Sequence, residues 1–171
     1  HIFFLDDDMH PEPDIIPRLL AHDKDVVTGL YLMRNYPHMA CAFDEAYEDG
    51  QCKFAFLETG RKGLIPIVNC GFGCVLINMR VFEKLEMPYI TLGEIIKDEW
   101  CDDVTFFNKV RRAGFKLYLD TSVRVGHQLS VTMFPEQDPD GSWHTVYKTS
   151  QGNIKFPQVI PARELVINEI K

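Results

Sequence analysis

Apolar and polar positions alternate along the first part of the chain in blocks that predict strands and a helix. Residues 1–5 (HIFFL) form a short apolar run that ends at three consecutive acids, residues 6–8, and such a run predicts a buried strand. Residues 11–23 (PEPDIIPRLLAHD) carry isoleucines and leucines at helical spacing behind a proline and an aspartate suited to a helix start. Residues 25–32 (DVVTGLYL) predict a second strand. Strand, helix and strand in this order indicate a parallel α/β unit.

The middle of the chain predicts short elements around a glycine turn. Residues 35–66 alternate only partly and contain the turn sequence EDGQ, so we expect an exposed hairpin within a meander. Residues 69–74 (NCGFGC) predict a glycine turn, residues 74–77 a strand and residues 80–85 a short helix.

The last third of the chain contains the clearest helix. Residues 102–114 (DDVTFFNKVRRAG) place acids in the first turn, apolar residues along one side and a glycine at the end. Residues 115–127 (FKLYLDTSVRVGH) predict core strands that end on a histidine. Residues 129–171 have turn signals at DPDG and QGN but no strong period, so we expect a wrapping or partly mobile tail.

Composition and charge narrow the class of protein. The 171 residues are 46% hydrophobic, which is enough for a core in one domain. A net charge of −7 argues against broad capture of nucleic acid or anionic lipid, because both need a basic surface. No stretch reaches the roughly 18 apolar residues of a membrane span. We therefore expect a globular protein without a membrane span or a nucleic-acid partner.

The cysteines bear on the cellular compartment. Their number, five, is odd, and no two form a CxxC pair, which argues against a zinc ribbon or a full disulfide framework. Cys70 and Cys74 flank GFG at a spacing that a metal could use. Free thiols in a reducing, cytoplasmic compartment are the preferred interpretation.

Asp6, Asp7 and Asp8 follow directly on the first predicted strand. Adjacent carboxylates repel one another, and a cation compensates that repulsion. Oxygen ligands suit Mg²⁺ or Mn²⁺, and ligands of open α/β sheets bind beyond the carboxyl ends of the strands. A solvated acidic loop or a helix cap is the alternative interpretation. An EF-hand is excluded because DDDMHPEPDIIP has no central glycine, and an aspartyl-phosphatase motif would have Thr or Val at His10.

The order and spacing of several motifs resemble nucleotide-sugar glycosyltransferases of the GT-A type, most closely glycosyltransferase family 2. In that family an apolar strand ends in a DxD motif. A glycine-rich strand, an acidic pair before a helix and a strand ending in a histidine follow it. The corresponding residues here are Asp6 to Asp8, Gly71 to Leu85, Asp102 and Asp103 with Phe106, and His127.

The resemblance covers residues 1–128 and implies a fold and a role for each motif. The fold is a truncated GT-A fold, an α/β fold with a mixed sheet and flanking helices. Asp6, Asp8 and His127 would hold a divalent cation, Mn²⁺ or Mg²⁺, at the diphosphate of a sugar nucleotide. Asp103, next to Asp102, would be the base that deprotonates the acceptor hydroxyl. Implied substrate contacts are Asp7, Gly71, Gly73 and Trp100.

Several of these residues also have a structural interpretation. Asp102 and Asp103 suit the first turn of a helix, whether or not they are catalytic. Trp100 could stack on a sugar face or belong to the core or a lid. Gly71 and Gly73 do not form a dinucleotide fingerprint, because Leu76 stands where a third glycine is needed.

The expected function is that of a metal-dependent enzyme that transfers a sugar from a nucleotide-diphosphate sugar to a hydroxyl acceptor. Residues 1–128 would form the metal and acceptor side of the catalytic domain, and residues 129–171 the wrapping tail. One alternative is a nucleotidyl or phosphoryl transferase with an acidic metal site. Another is a carbohydrate-binding remnant without turnover.

The sequence begins at the DxD strand, whereas the family has nucleotide-binding βα units before it. We therefore expect the C-terminal part of a longer enzyme, whose isolated chain is inactive if those units are needed. An open sheet edge recruits partners. We accordingly expect a homodimer through the N-terminal edge.

Overall fold

A computed structural model describes residues 1–34, 38–45, 55–56, 61–90, 102–149 and 152–156. The chain divides into two units, His1–Gln128 and Leu129–Lys171. The described elements, in chain order, are β1 (Ile2–Leu5), β2 (Met9–His10), α1 (Ile15–Leu20), β3 (Val26–Leu30), β4 (Ala42–Glu45), β5 (Ala55–Phe56), β6 (Leu64–Ile67), β7 (Asn69–Cys70), β8 (Cys74–Ile77), α2 (Met79–Phe82), α3 (Asp102–Arg112), β9 (Leu117–Arg124), β10 (Gly126–His127), β11 (Thr132–Gln137), β12 (Trp143–Thr149) and β13 (Gly152–Phe156).

A mixed five-stranded sheet forms the centre of the first unit. Its strand order is β1-β8-β3-β9-β6, which places β1 at one edge. β8 runs antiparallel to both β1 and β3, β3 runs parallel to β9, and β6 runs antiparallel to β9. The expectation of an α/β fold with a mixed sheet is therefore confirmed.

Alternate residues of the central strands belong to two apolar clusters, as the period of two in a strand requires. Val27 and Leu76 pack with Ile15 and Leu19 of α1. Their neighbours along the strands pack instead with α2 and α3; the buried residues of this second cluster include Val26, Val75, Ile77, Val81, Phe106, Phe107, Val110, Leu117 and Leu119. Helices therefore cover both faces of the sheet.

The predicted helices all form, with one change of length. α1 begins after Asp14, and α3 covers Asp102–Arg112. Gly114 beyond α3 has φ +91°, the left-handed conformation in which glycine ends helices. α2 covers Met79–Phe82 instead of residues 80–85, and it begins one residue early because the Asn78 side chain accepts the Arg80 N–H.

The predicted parallel unit was wrong in one respect. β1 and β3 do point the same way, but they do not pair, since β8 lies between them and is antiparallel to both. Sequence periodicity reports the faces of a strand and carries no information on its neighbour. The apolar run Cys74–Ile77, fully buried in the structure, fills this central place.

The predicted hairpin region contributes a small three-stranded sheet with the order β5-β4-β7. β4 is antiparallel to both of its neighbours, and Ala42 pairs with Cys70. The predicted EDGQ turn lies outside the described residues.

In the second unit, β11, β12 and β13 form an antiparallel sheet. The sequence pattern predicts no strand in this segment, which we expected to be a wrapping or partly mobile tail. The turn signal DPDG is confirmed, since the Asp138 N–H donates to the Ser142 carbonyl and Gly141 has φ +87°. β11 was not predicted because all six of its residues are exposed, so no alternation of buried and exposed positions marks it.

None of the helices among the described residues is long and apolar enough to cross a membrane.

Candidate functional site

The three consecutive acids form a tight turn at the end of β1. The Asp6 N–H donates to the Gly73 carbonyl at 3.2 Å, and the Met9 N–H donates to the Asp6 carbonyl at 3.2 Å. The turn leaves Asp6 and Asp7 exposed and Asp8 partly buried. The backbone thus presents several carboxylates at one end of the sheet.

A short strand pair brings His127 to these acids from the far end of the first unit. β2 and β10 are antiparallel, with His127 opposite Met9. The Gln128 N–H also donates to the Asp8 carbonyl at 2.8 Å. As a result, His127 Nε2 lies 3.4 Å from Asp8 Oδ2.

The orientation of the His127 ring is fixed on its other side. Nδ1 lies 2.7 Å from the Leu32 carbonyl oxygen, and because a carbonyl only accepts, Nδ1 carries the hydrogen and donates it. The Tyr31 ring meets the imidazole edge-on, with 6.1 Å between centroids. Nε2 is therefore the atom directed at Asp8. A backbone hydrogen bond of this kind is the usual support of a metal-binding histidine.

Arg34 is a member of the site that sequence reasoning missed. Its Nη1 lies 3.0 Å from Asp8 Oδ2, the same oxygen that faces His127. A basic residue shortly after the strand predicted over residues 25–32 was the available signal. With no acid close to it in sequence, nothing indicated that it pairs with Asp8.

The electrostatics of the turn are dominated by negative charge. Burial and the nearby carboxylates of Asp8 and Asp7 raise the pKa of Asp6, and His127 lowers it. Asp102 also raises the pKa of Asp6, which places the start of α3 at the same end of the sheet. A cation would relieve this repulsion.

The predicted acidic pair forms the start of α3. Asp102 Oδ1 accepts the Asp103 N–H at 3.0 Å, and Asp103 Oδ1 accepts the Val104 N–H at 2.7 Å. Both acids therefore bind N–H groups of the first turn, where the structural interpretation places them. The other Asp103 oxygen, Oδ2, would lie 3.2 Å from a Cβ placed on Gly71, so it is close to the glycine turn.

Gly71 and Gly73 have neighbours within the protein that explain the absence of side chains. A Cβ on Gly71 would collide with the Tyr31 hydroxyl and with Cys41 Sγ, and one on Gly73 would lie 2.6 Å from Met9 Cε. The Gly73 N–H donates to the Tyr31 hydroxyl at 3.1 Å, and that hydroxyl also hydrogen bonds to the Cys41 thiol. Tyr31 therefore packs against the glycine turn.

The predicted contact residue Trp100 lies outside the described residues.

Burial governs the thiols of this region. It raises the pKa of Cys41, with Asp103 and Asp6 adding to the effect against the Tyr31 hydrogen bond. Burial also raises the pKa of Cys70. Among the described residues, Cys41, Cys70 and Cys74 are free thiols, and these raised pKa values keep them protonated and unreactive at neutral pH.

The predicted metal ligands come to one edge of the sheet without forming a closed coordination sphere. Asp8 and His127 are in contact, and Asp6 is near enough for both to change its pKa. No three His, Cys, Asp or Glu side chains within the described ranges already surround a common point. The donor types, two carboxylates and an imidazole Nε2, are nevertheless ones that a hard divalent ion accepts.

Comparison with solved structures identifies a similar fold. The crystal structure of A197 from STIV matches with a TM-score of 0.52 and 20% sequence identity. The match covers 82% of this chain and 63% of that chain, so this chain spans less than two thirds of that protein. No protein-family model matches the chain, and no curated protein does. The molecule is thus defined by its fold and site as a mixed-sheet α/β protein with an acidic cluster at a strand end.

Proposed function

We propose that the chain is part of the catalytic domain of a GT-A type glycosyltransferase that moves a sugar from a nucleotide-diphosphate sugar to a hydroxyl acceptor. One observation supports the proposal: Asp8 lies against His127, and Asp103 lies by Gly71, two residues before Gly73, whose carbonyl accepts the Asp6 N–H. The motifs that suggested the family are far apart in sequence, and these residues lie at one end of the sheet.

In this proposal Asp6, Asp8 and His127 hold the divalent cation. Mn²⁺ or Mg²⁺, when bound, neutralises the charge that develops on the departing diphosphate. The hydrogen bond from His127 Nδ1 to the Leu32 carbonyl presents Nε2 to the site. The repulsion that raises the pKa of Asp6 favours the entry of a cation.

Asp103 is the proposed base for the acceptor hydroxyl. Its Oδ1 accepts the Val104 N–H, which fixes the carboxylate, and its Oδ2 is directed toward Gly71. A carboxylate is sufficient because the hydroxyl becomes acidic as the diphosphate leaves. Asp102 is exposed and accepts the Asp103 N–H, which makes it a support for its neighbour.

Calorimetry with Mn²⁺ tests the cation site. We expect binding by the wild-type chain and its loss in the Asp8→Ala, His127→Ala double variant. Asp25→Ala is the matched control, because Asp25 pairs with Arg80 and is 25% exposed, against 24% for Asp8. Binding that is unchanged in the double variant would refute the assignment.

Turnover with a panel of nucleotide-sugar donors tests the reaction. Release of nucleoside diphosphate supports glycosyl transfer, whereas release of sugar 1-phosphate indicates transfer of the nucleotidyl group, and release of nucleoside monophosphate indicates transfer of the sugar phosphate. Asp103→Asn should lower turnover by about 10² to 10⁴ with donor binding retained, and Asp102→Asn should have the smaller effect. Donor binding with no turnover by the wild-type enzyme would favour the carbohydrate-binding remnant.

A further inference from the structure

Two side chains that can carry positive charge converge on a single oxygen atom of Asp8. Arg34 Nη1 lies 3.0 Å and His127 Nε2 lies 3.4 Å from Asp8 Oδ2. The two side chains differ in how they are fixed, because the His127 ring donates a second hydrogen bond, from Nδ1 to the Leu32 carbonyl. Arg34 is 55% exposed, and it approaches from the solvent side of the pair.

The backbone before Arg34 is anchored, so its side chain can move without disturbing the site. Leu32 forms an antiparallel bridge with Ala40, and the Met33 N–H donates to the Met39 carbonyl at 2.7 Å. The same segment supplies the carbonyl that fixes His127. A change of Arg34 rotamer would therefore leave the imidazole in place.

The Arg34–Asp8 pair is also weak enough to be replaced. Half-exposed ion pairs contribute about 0–1 kcal/mol, whereas a divalent ion carries twice the charge and bonds directly to a carboxylate. A guanidinium released at this place would lie beside the proposed diphosphate site. Its planar set of N–H donors matches phosphate oxygens.

We propose that Arg34 is an exchangeable counter-ion of Asp8: it holds the carboxylate when no divalent cation is bound, and it binds a phosphate of the donor when the cation has replaced it. This inference rests on the proposed function. It adds a residue that ties donor recognition to occupation of the cation site.

The test compares Arg34→Gln with Arg80→Gln in the whole chain. Arg80 is the matched control because it is 54% exposed and pairs with Asp25, which is 25% exposed. Mn²⁺ binding is measured first alone, and methylenediphosphonate binding is then measured with Mn²⁺ present. We expect Arg34→Gln to tighten Mn²⁺ binding by up to about fivefold and to weaken diphosphonate binding by about tenfold. Arg80→Gln should change neither.

The opposite signs of the two effects distinguish exchange from a structural role, which would weaken both steps together. Arg34→Lys should keep part of the diphosphonate affinity, since it retains the charge without the planar fork. If Mn²⁺ binds through Asp8 but Arg34→Gln leaves both affinities unchanged, the counter-ion inference is wrong and the proposed function survives. If Asp8→Asn does not alter Mn²⁺ binding, or no Mn²⁺ binds, both proposals fail.

Discussion

Two histidine–aspartate pairs among the described residues of the first unit have opposite surroundings. His22 Nε2 lies 2.7 Å from Asp120 Oδ2, and the Asp120 side chain is only 6% exposed. His127 and Asp8 lie 3.4 Å apart, and Asp8 is 24% exposed. The carboxylate of the first pair is buried, and the carboxylate of the second is partly exposed at a strand end.

The His22–Asp120 pair is saturated by hydrogen bonds from its own chain. The Ser122 N–H and hydroxyl donate to Asp120 Oδ1 at 2.8 and 2.7 Å, and Arg18 donates to the Ser122 carbonyl at 2.7 Å. Burial alone raises the pKa of Asp120, but the hydrogen bonds from Ser122 and His22 outweigh it and lower that pKa. This network joins α1 to the interior strand β9.

In the acidic cluster, the effects that raise the pKa of Asp6 outweigh those that lower it. Burial and repulsion raise the pKa of Asp6 there, whereas hydrogen bonds lower that of Asp120. The difference teaches that a histidine–aspartate contact alone does not indicate a site. The two sites differ in the carboxylates that surround Asp6 and in the solvent exposure of Asp8, and we expect a ligand site to have both features.

The largest effect is expected from a substitution that removes the His22–Asp120 pair. Asp120→Ala should lower the free energy of unfolding by about 3 kcal/mol, because it removes the buried carboxylate that accepts hydrogen bonds from His22 and Ser122, and hydrogen bonds to charged groups contribute about 1.5–3 kcal/mol. Asp8→Ala, measured without metal, should change it by less than about 0.5 kcal/mol. Urea unfolding measures both. Equal losses in the two variants would abolish the distinction drawn between the pairs.

A smaller effect is expected from the packing that supports the open site. Gly71→Ala should destabilise the chain by about 2 kcal/mol, because the new methyl group collides with the Tyr31 hydroxyl and Cys41 Sγ. Tyr31→Phe removes the first of these atoms, so the same glycine substitution should cost less in that background. A double-mutant cycle in urea measures the difference. Identical costs in both backgrounds would show that the hydroxyl does not limit the space.

Lowering the pH should change the contributions of Asp120 and Asp6 to the free energy of unfolding in opposite directions. The lowered pKa of Asp120 means that its contribution to stability is present above about pH 4 and is lost as pH falls through its folded-state value. The raised pKa of Asp6 means the reverse: its charged form costs stability at neutral pH, and the cost disappears on protonation.

Asp120→Asn should therefore destabilise at pH 7, and Asp6→Asn should stabilise by less than about 1 kcal/mol. Both differences from wild type should shrink as the pH approaches 3. Unfolding free energies across that pH range are the measurement. An Asp6→Asn variant that is less stable than wild type at pH 7 would contradict the repulsion inferred for the cluster.

The smallest effect is expected on self-association, and it depends on whether a strand lies at the edge of the sheet. β9 has neighbours on both sides, whereas β1 is an edge strand, and its last residue, Leu5, is 41% exposed. We propose that β1 mediates weak self-association into a two-fold dimer. Light scattering at micromolar concentration should show a rise above 19.7 kDa, and Phe3→Lys should reduce it. A constant mass of 19.7 kDa would refute the dimer.

Sequence reasoning succeeded where a feature is local. The acids after β1, the helix α3 and the strand β8 each follow from a continuous pattern of side chains, and the structure confirms these elements. The family resemblance brought His127 and Asp8 into one hypothesis, and the structure brings them into contact. The roles assigned to them remain predictions.

Features made by distant residues were missed for a physical reason. His22 and Asp120 are 98 residues apart, and no period relates them. Asp120 in the apolar run LYLDTSV was the one available signal, since an acid inside a strand needs a partner. Arg34 and the exposed strand β11 were missed in the same way, because ion pairing and strand pairing are settled by tertiary structure.

The central place of β8 bears on the order in which the protein folds. Among the described strands, β1 pairs with β8, and β3 pairs with β8 and β9, so each pairs with strands that are synthesised after it. The hydrogen bond from the Gln128 N–H to the Asp8 carbonyl cannot form until nearly all of the first unit has been synthesised. Contacts of such separation in sequence slow folding. We therefore expect the acidic turn to acquire its protection from hydrogen exchange late, after the core between β3 and α3 has consolidated.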